Sequence, residues 1–393
     1  MAPRRPEAAG ASAGWAGTWI AYKTGNGAAP APIGKDLTMG DWMKGAAVVA
    51  LAALAGTAAR AEDKMKVGFV YVGPVGDFGY SYQHDQGRQF LQKQLGDAVE
   101  TTFLENVPET DSQRAFEQLA RSGYKMIFGT SFGFMDPMLK VAKQFPKVDF
   151  EHATGYKQAP NLATYSARFY EGRYIMGEIA AKVSKTHSVG YIASFPIPEV
   201  ISGIDAFMLG AQKVDPNFKI KIVWVNTWFD PGKEADAAKA LIAQGVDVIA
   251  QHTDSAAPLQ EAEKAGIHGF GQSSDMAKFA PKAILTSLED NWGPYYVQEI
   301  KAVQNGTWKS HDTWGGLAAG MVVMGPYENM PADVKAMAEK TEADIKSGAV
   351  KVFAGPITKQ DGTEAVKAGE VMPDKEILGL NWYVKGVDDK VPQ

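Results

Sequence analysis

The 393-residue sequence contains no cysteine. That excludes thiol nucleophiles, disulfides, zinc–thiolate sites and iron–sulfur clusters, and with them the lipidated cysteine that tethers bacterial lipoproteins. Histidine is scarce. The six are His84, His152, His187, His252, His268 and His311, and no two share an HxxxH or HxH spacing, so no metal site is expected. There is no basic excess either: 40 lysines and arginines stand against 45 acidic residues, for a net charge of −5. Without surplus cations to displace counterions from phosphates, no nucleic-acid partner is expected. No apolar run reaches the roughly 20 residues that span a bilayer. What remains is ordinary globular material, 45% hydrophobic and 22% charged, which rules out disorder as the main state. The length predicts two or three domains, or one two-lobed unit.

The amino terminus reads as an export segment. Lys44 precedes an apolar run from Ala46 to about Gly56, and Ala59-Arg60-Ala61 places small residues at the −3 and −1 positions of a cleavage site before Glu62. Residues 1–38 are rich in Ala, Gly and Pro and lack a signal's basic start, which points to Met39 or Met43 as the true start. Loss of residues 1–61 removes six basic and three acidic side chains and leaves a net charge of −8. The expectation is an anionic protein of a Gram-negative periplasm, without a lipid anchor.

From Met65 onward the sequence alternates strand and helix. Residues 65–73, 99–107, 126–131 and 148–155 are apolar runs typical of strands. Helical spacing fills 80–95, with Phe90, Leu91 and Leu95 on one face, and then 111–122 and 135–144. The pattern restarts near residue 184, with strands at 189–194, 219–226, 246–253 and 268–274 and helices at 199–213, 232–244 and 256–264. Continuous apolar strands divided by helices indicate parallel sheets covered on both faces. Two such halves predict an α/β type I periplasmic binding-protein architecture, two Rossmann-like lobes joined by a three-strand hinge around a ligand cleft. The first lobe is assigned residues 62–168 plus about 288–323, the second 169–287 plus about 324–393.

Catalytic signatures are missing: there is no GxSxG, HExxH or P-loop. The glycine-rich Gly73-Pro74-Val75-Gly76-Asp77-Phe78-Gly79 has the wrong spacing for a dinucleotide, loses an amide donor at Pro74, and carries Asp77 where a phosphate would sit. No cofactor is expected, and the chain is read as a non-enzyme. Strand ends instead carry aromatic and polar residues: Tyr80, Phe132, Phe134, Phe169, Trp228 and Trp292, interleaved with Asp254, Gln272, Ser273 and Asp290. That mixture suits a flat ligand with donor and acceptor edges. Glu199, just after Pro198 at a helix start, is a further candidate, although the helix dipole favours a carboxylate there anyway. His252 serves as a ligand contact or as a satisfied buried histidine. Tyr156, Trp308 and Trp314 read as core or hinge packing, and Asp111 and Asp136 as helix caps.

From about Lys66 to the C-terminus the chain resembles the basic membrane protein (Bmp) family of ABC-transporter substrate-binding proteins. The resemblance rests on VGFVYVGPVGDFGYSYQHDQGR, IFGTSFGFMD, RFYEGRYIMGEIAA, VGYIASFPIPEVISGIDAFMLGA and ILTSLEDNW. It implies a monomeric receptor that delivers a nucleoside, purine or riboflavin to a membrane permease. Tyr80 would stack on the base, Ser131-Phe132-Gly133-Phe134 would line the opposite wall, and Phe169 would lie near the hinge. Relatives that bind nucleosides hold the ribose with an aspartate at one strand end and a lysine after the return strand. Here those positions read Ser273 and Asp290. Both ribose-holding charges are absent, and Trp228 and Trp292 could fill the vacated space.

The expectation is therefore periplasmic capture of a free purine base, adenine first, with nucleosides weaker. A carboxylate at Asp290 or Asp254 would accept the purine's N–H hydrogens. Nucleoside or riboflavin binding by the same fold stays open. So does a periplasmic hydrolase acting on a nucleobase or nucleoside.

Overall fold

The computed structural model describes residues 64–76 and 78–392. The export segment, its cleavage site and Asp77 lie outside the described residues.

The eight predicted apolar runs each give a strand, and each half has a fifth strand beyond those runs. The first lobe contains β1 (Met65–Tyr71), β2 (Val99–Leu104), β3 (Met126–Thr130), β4 (Asp149–Ala153) and β5 (Leu162–Ala167). The second contains β6 (Ser188–Ala193), β7 (Lys219–Trp224), β8 (Val248–His252), β9 (His268–Gly271) and β10 (Ile284–Asp290). Each sheet gains a sixth strand from the return chain, β11 (Asp312–Gly315) or β12 (Val322–Met324). The orders are β11-β5-β4-β3-β1-β2 and β12-β10-β9-β8-β6-β7, so the two halves repeat one winding. All pairings in the two sheets are parallel except β12 against β10. In β1, Val67, Phe69 and Val70 have no solvent exposure, as strands covered on both faces require.

Helices α1 (Gly79–Leu95), α2 (Ser112–Arg121) and α3 (Met135–Gln144) belong to the first half. They are followed by α4 (Phe169–Val183), α5 (Pro198–Val214), α6 (Pro231–Ala243) and α7 (Ala257–Ala265), and then α8 (Gly293–Gln304) and α9 (Ala332–Ser347). The chain passes between the sheets three times: after β5 at Arg168, after β10 at Asn291 and Trp292, and between β11 and β12. Beyond α9 the chain forms a small hairpin, β13 (Ile357–Thr358) with β14 (Glu364–Val366), and one helical turn, α10 (Asp374–Ile377). This terminal segment is fastened at both ends. The Arg168 guanidinium grips the Asp374 carboxylate with two N–H donors, and the buried Asp205 on α5 accepts the Val384 amide at 3.0 Å.

Two local expectations need correcting. Phe90 is 40% exposed, and α1 buries Ser81, His84 and Asp85 alongside Leu91. A polar face can go inside because it is paired: His84 Nδ1 shares a 2.5 Å hydrogen bond with the Tyr296 hydroxyl, and Asp85 accepts from Arg88 Nε at 2.6 Å. Neither Asp111 nor Asp136 makes a capping hydrogen bond. Asp111 holds the position before α2 without one, and Asp136 sits in the first turn of α3 bound to Lys157 at 2.6 Å.

Helices α4 and α5 pack backbone to backbone. A Cβ on Gly210 would lie 2.0 Å from the Tyr174 carbonyl oxygen, and one on Gly177 1.9 Å from that of Phe207. Gly210→Ala is therefore expected to force the helices apart and destabilise the protein by about 2–4 kcal/mol. Thermal or denaturant unfolding would measure it, and an unchanged midpoint would refute this packing.

Candidate functional site

The carboxyl ends of the two sheets face each other, and the loops that leave them line a cavity with about 380 Å³ of empty space, part of it open to solvent. On the first lobe the wall begins with Val72 after β1 and Tyr80 in the first turn of α1. Gly79 makes this approach possible. Its φ is +77°, and an added Cβ would lie 2.1 Å from the Asp254 carbonyl oxygen of the other lobe, so only glycine fits. The Gly79 amide also donates to Ser274 Oγ across the cleft at 2.8 Å. Ser131 and Phe132 follow β3 and Thr154 follows β4, completing that side.

The facing wall is built the same way. Trp228 comes from the loop after β7, His252 ends β8, Asp254 follows it, and Gln272 follows β9. The Asp254 amide donates to the Trp228 carbonyl at 2.9 Å, which ties these two loops together. Glu234 on α6 braces the same loop, accepting from the Ser255 amide and hydroxyl. Glu199 enters from the first turn of α5, and Phe169 closes the floor beside the hinge. Trp228 Nε1 reaches back to Glu109 of the first lobe at 3.3 Å, a second hydrogen bond across the cleft.

Burial controls the electrostatics. Glu199 is pushed up to about 8 by desolvation, with Arg173 pulling partly the other way. Asp254 and Asp290 are raised well above the carboxylate range, again mainly by desolvation, with neighbouring acids adding to the shift. His252 is held neutral by burial and by Arg173, its Nε2 3.6 Å from Glu199 Oε1 and its Nδ1 without a partner. Arg173 on α4 is fully buried and donates to Gln272 Oε1, while Gln272 Nε2 donates to Ser273 Oγ at 3.0 Å. The amide at the cavity edge is thus fixed in orientation. With Glu199 at about 8 and Asp254 pushed in the same direction by burial, the cavity leans toward neutral donors and acceptors. No lysine or arginine lines it.

Of the residues singled out from sequence, Tyr80, Phe132, Phe169, Glu199, Trp228, Asp254 and Gln272 meet around this cavity. Four others do not reach its wall. Phe134 points into the first-lobe core with its ring 5.5 Å from Phe116. Trp292 is also core, stacked on His84 at 4.7 Å, and so does not fill space beside a ligand. Ser273 and Asp290 are completely buried behind the lining, and neither carboxyl oxygen of Asp290 has a hydrogen-bond partner. Tyr156 is 70% exposed and packs in neither core nor hinge. Arg173 and Thr154 went unremarked in the sequence. The signal for Arg173 was there, an arginine one helical turn after Phe169 on a helix with no polar stripe.

Comparison with known proteins decides the family. The model for PnrA-like ABC-transporter substrate-binding proteins, the Bmp family, matches residues 64–353. The chain belongs to the Bmp family. It is 62% identical over 339 residues to a purine-binding protein of Brucella abortus, covering 86% of this chain and 97% of the relative. A Haloferax volcanii protein named for glucose binding by an ABC transporter is 37% identical, covering 84% of this chain and 82% of the relative. Among solved structures, an ABC-transporter solute-binding protein of Aeropyrum pernix superposes with a TM-score of 0.64 at 19% identity, covering 73% of this chain and 92% of that one, which supports the fold alone. Family membership implies a small-molecule ligand and a membrane permease. Among the described residues, no helix is long and apolar enough to cross a membrane, and no group of three or more acids and histidines is gathered for a metal.

The buried acids of this Bmp protein set a pH signature. A carboxyl with a raised folded pKa favours folding in its protonated form. For Glu199 that contribution is complete below the ordinary 4.5 and is lost as pH rises through about 8. Asp254 and Asp290 act in the same direction. The melting temperature of the ligand-free protein is therefore expected to fall as pH rises from 4.5 to 8, and Glu199→Gln to flatten part of that slope. An identical slope in the variant would show that Glu199 does not titrate this way.

Proposed function

We propose that this Bmp-family protein is a non-catalytic periplasmic receptor that captures a free purine base, adenine before others, for an ABC permease. One observation carries the reading: the cavity pairs the rings of Tyr80, Phe132, Phe169 and Trp228 with Asp254, Glu199 and Gln272, and contains no cation. Aromatic faces favour a flat heterocycle, and protonated carboxyls beside a fixed amide match a rim of alternating N–H and ring nitrogen. A phosphorylated ligand would meet no counter-charge there. Stacking contributes about 1–3 kcal/mol per face and each net hydrogen bond about 0.5–1.5 kcal/mol. Two faces and a few bonds reach the −8 to −12 kcal/mol, approximately, of micromolar to nanomolar binding. The purine-binding name of the Brucella relative supports the same class.

A second reading has one observation in its favour. An acid of raised pKa 3.6 Å from a neutral histidine, as Glu199 is from His252, is also what a hydrolase needs. The serine and threonine hydroxyls on the cavity wall are engaged elsewhere: Ser131 Oγ donates to Glu109 Oε1 at 2.5 Å and Thr154 Oγ1 to the Ala153 carbonyl at 2.7 Å, so neither is hydrogen-bonded to the pair. Recovery of intact nucleoside after prolonged incubation separates the two readings.

Calorimetric titration of the ligand-stripped protein is expected to give submicromolar binding of adenine, with adenosine at least about tenfold weaker, a difference of ~1.4 kcal/mol. Tyr80→Ala and Trp228→Ala are each expected to weaken adenine by roughly tenfold or more through lost stacking. Equal or tighter adenosine binding would overturn the preference for the base. Unchanged adenine affinity in both variants would overturn the assignment of the rings.

A further inference from the structure

The base cavity adjoins a larger chamber with about 1030 Å³ of empty space, part of it open to solvent, and the two share Phe132, Thr154, Phe169 and Glu199 as common wall. The chamber's far side has an unusual rim. Tyr156 of the first lobe is 70% exposed and Leu378 of the terminal segment 51% exposed, and both line it. These rank among the few large apolar side chains left open to solvent in the described residues. The polar groups inside are already engaged with one another. Gln158 Nε2 donates to Thr164 Oγ1, which donates to Asp312. Ser202 Oγ donates to the Glu199 carbonyl, and Trp314 Nε1 to that of Ala167. Asp312 is exposed and Glu199 partly so, and ring faces and aliphatic carbon make up the larger share of the free contact surface. One wall comes from the terminal segment: Ile377 and Leu378 lie beyond the residues matched by the family model and are held in place by the Arg168–Asp374 pair.

Resting on the base-binding reading, we propose that the chamber is a second subsite, and that the ligands of this protein include purine bases bearing an uncharged apolar or aromatic substituent. The base sits among Tyr80, Phe132 and Trp228. The substituent passes Glu199 and Phe169 and lies between Tyr156 and Leu378, covering their exposed carbon. Because the substituent makes its contacts in a space separate from the base, the two parts of the ligand are recognised independently.

The test titrates adenine, N6-benzyladenine and 9-benzyladenine into the native protein and into Tyr156→Ala and Leu378→Ala. Both positions are solvent-exposed, so neither variant threatens the fold. At least one benzyl purine is expected to bind as tightly as adenine or more so. Each variant is expected to weaken that ligand by about fivefold or more while changing adenine by less than about twofold. Exclusion of both benzyl purines by a protein that binds adenine would overturn the proposal. So would benzyl-purine affinity that neither variant alters. Failure of adenine itself would overturn the base reading and this inference together, a distinct result.

Discussion

The contact of Gly79 with the Asp254 main chain is the constraint on which the site depends. It lets the first turn of α1 rest directly on the opposite lobe, and the Gly79–Ser274 hydrogen bond completes the seal. Around that contact Asp254, His252 and the Tyr80 hydroxyl lie buried, Glu199 keeps partial exposure, and Asp290 is buried behind the wall. Burial is the largest cause of the pKa shifts of Glu199, Asp254, Asp290 and His252, with Arg173 and neighbouring acids adding smaller effects. Closure therefore determines the chemistry: acids that would repel a ligand's ring nitrogens in water become donors to them once covered.

Closure without ligand has a price. The Tyr80 hydroxyl, His252 Nδ1 and both oxygens of Asp290 are buried with no protein partner, and each such group costs about 1–3 kcal/mol when left unmet. A ligand that supplies partners along the wall shifts the balance toward the closed form by its differential affinity for it. The contacts across the cleft are few and weak by comparison: one amide–hydroxyl bond, the 3.3 Å Trp228–Glu109 bond, and the Lys278 ammonium 3.7 Å above the Phe78 ring. Such a latch favours closure without enforcing it, as suits a receptor that must release its cargo to a permease.

Much of the fold was legible because its determinants are local. Doubly covered parallel strands read as unbroken apolar runs, and Pro198, Pro231 and Pro258 mark helix starts. Seven candidate residues converged on the cavity because strand ends in such sheets face the ligand side. The failures share a cause. Phe134 and Trp292 are read from residue type at strand ends and Phe90 from helical spacing, but whether an aromatic faces cleft, core or solvent depends on partners distant in sequence. Trp292 is claimed by His84, and Phe134 by Phe116. Arg173 escaped notice because its partner, Gln272, lies 99 residues away, and Tyr156 looked like packing until its surroundings were visible.

The positions where ribose-binding relatives would carry charge bear on the ligand class in a way independent of direct contact. Ser273 and Asp290 do not touch the cavity, yet they set its potential from behind. Ser273 takes its hydrogen bond from Gln272, so it helps to aim an amide rather than to bind a hydroxyl. Asp290 has no cation within bonding distance to offset its desolvation, which pushes its carboxyl well above the usual carboxylate range. The one nearby cation, Arg173, is fully buried and directed at Gln272. An interior without a formal charge presented to the ligand discriminates by shape and by the order of donors and acceptors. Such a wall suits a neutral heterocycle and offers a phosphate no counter-charge, since no lysine or arginine lines it.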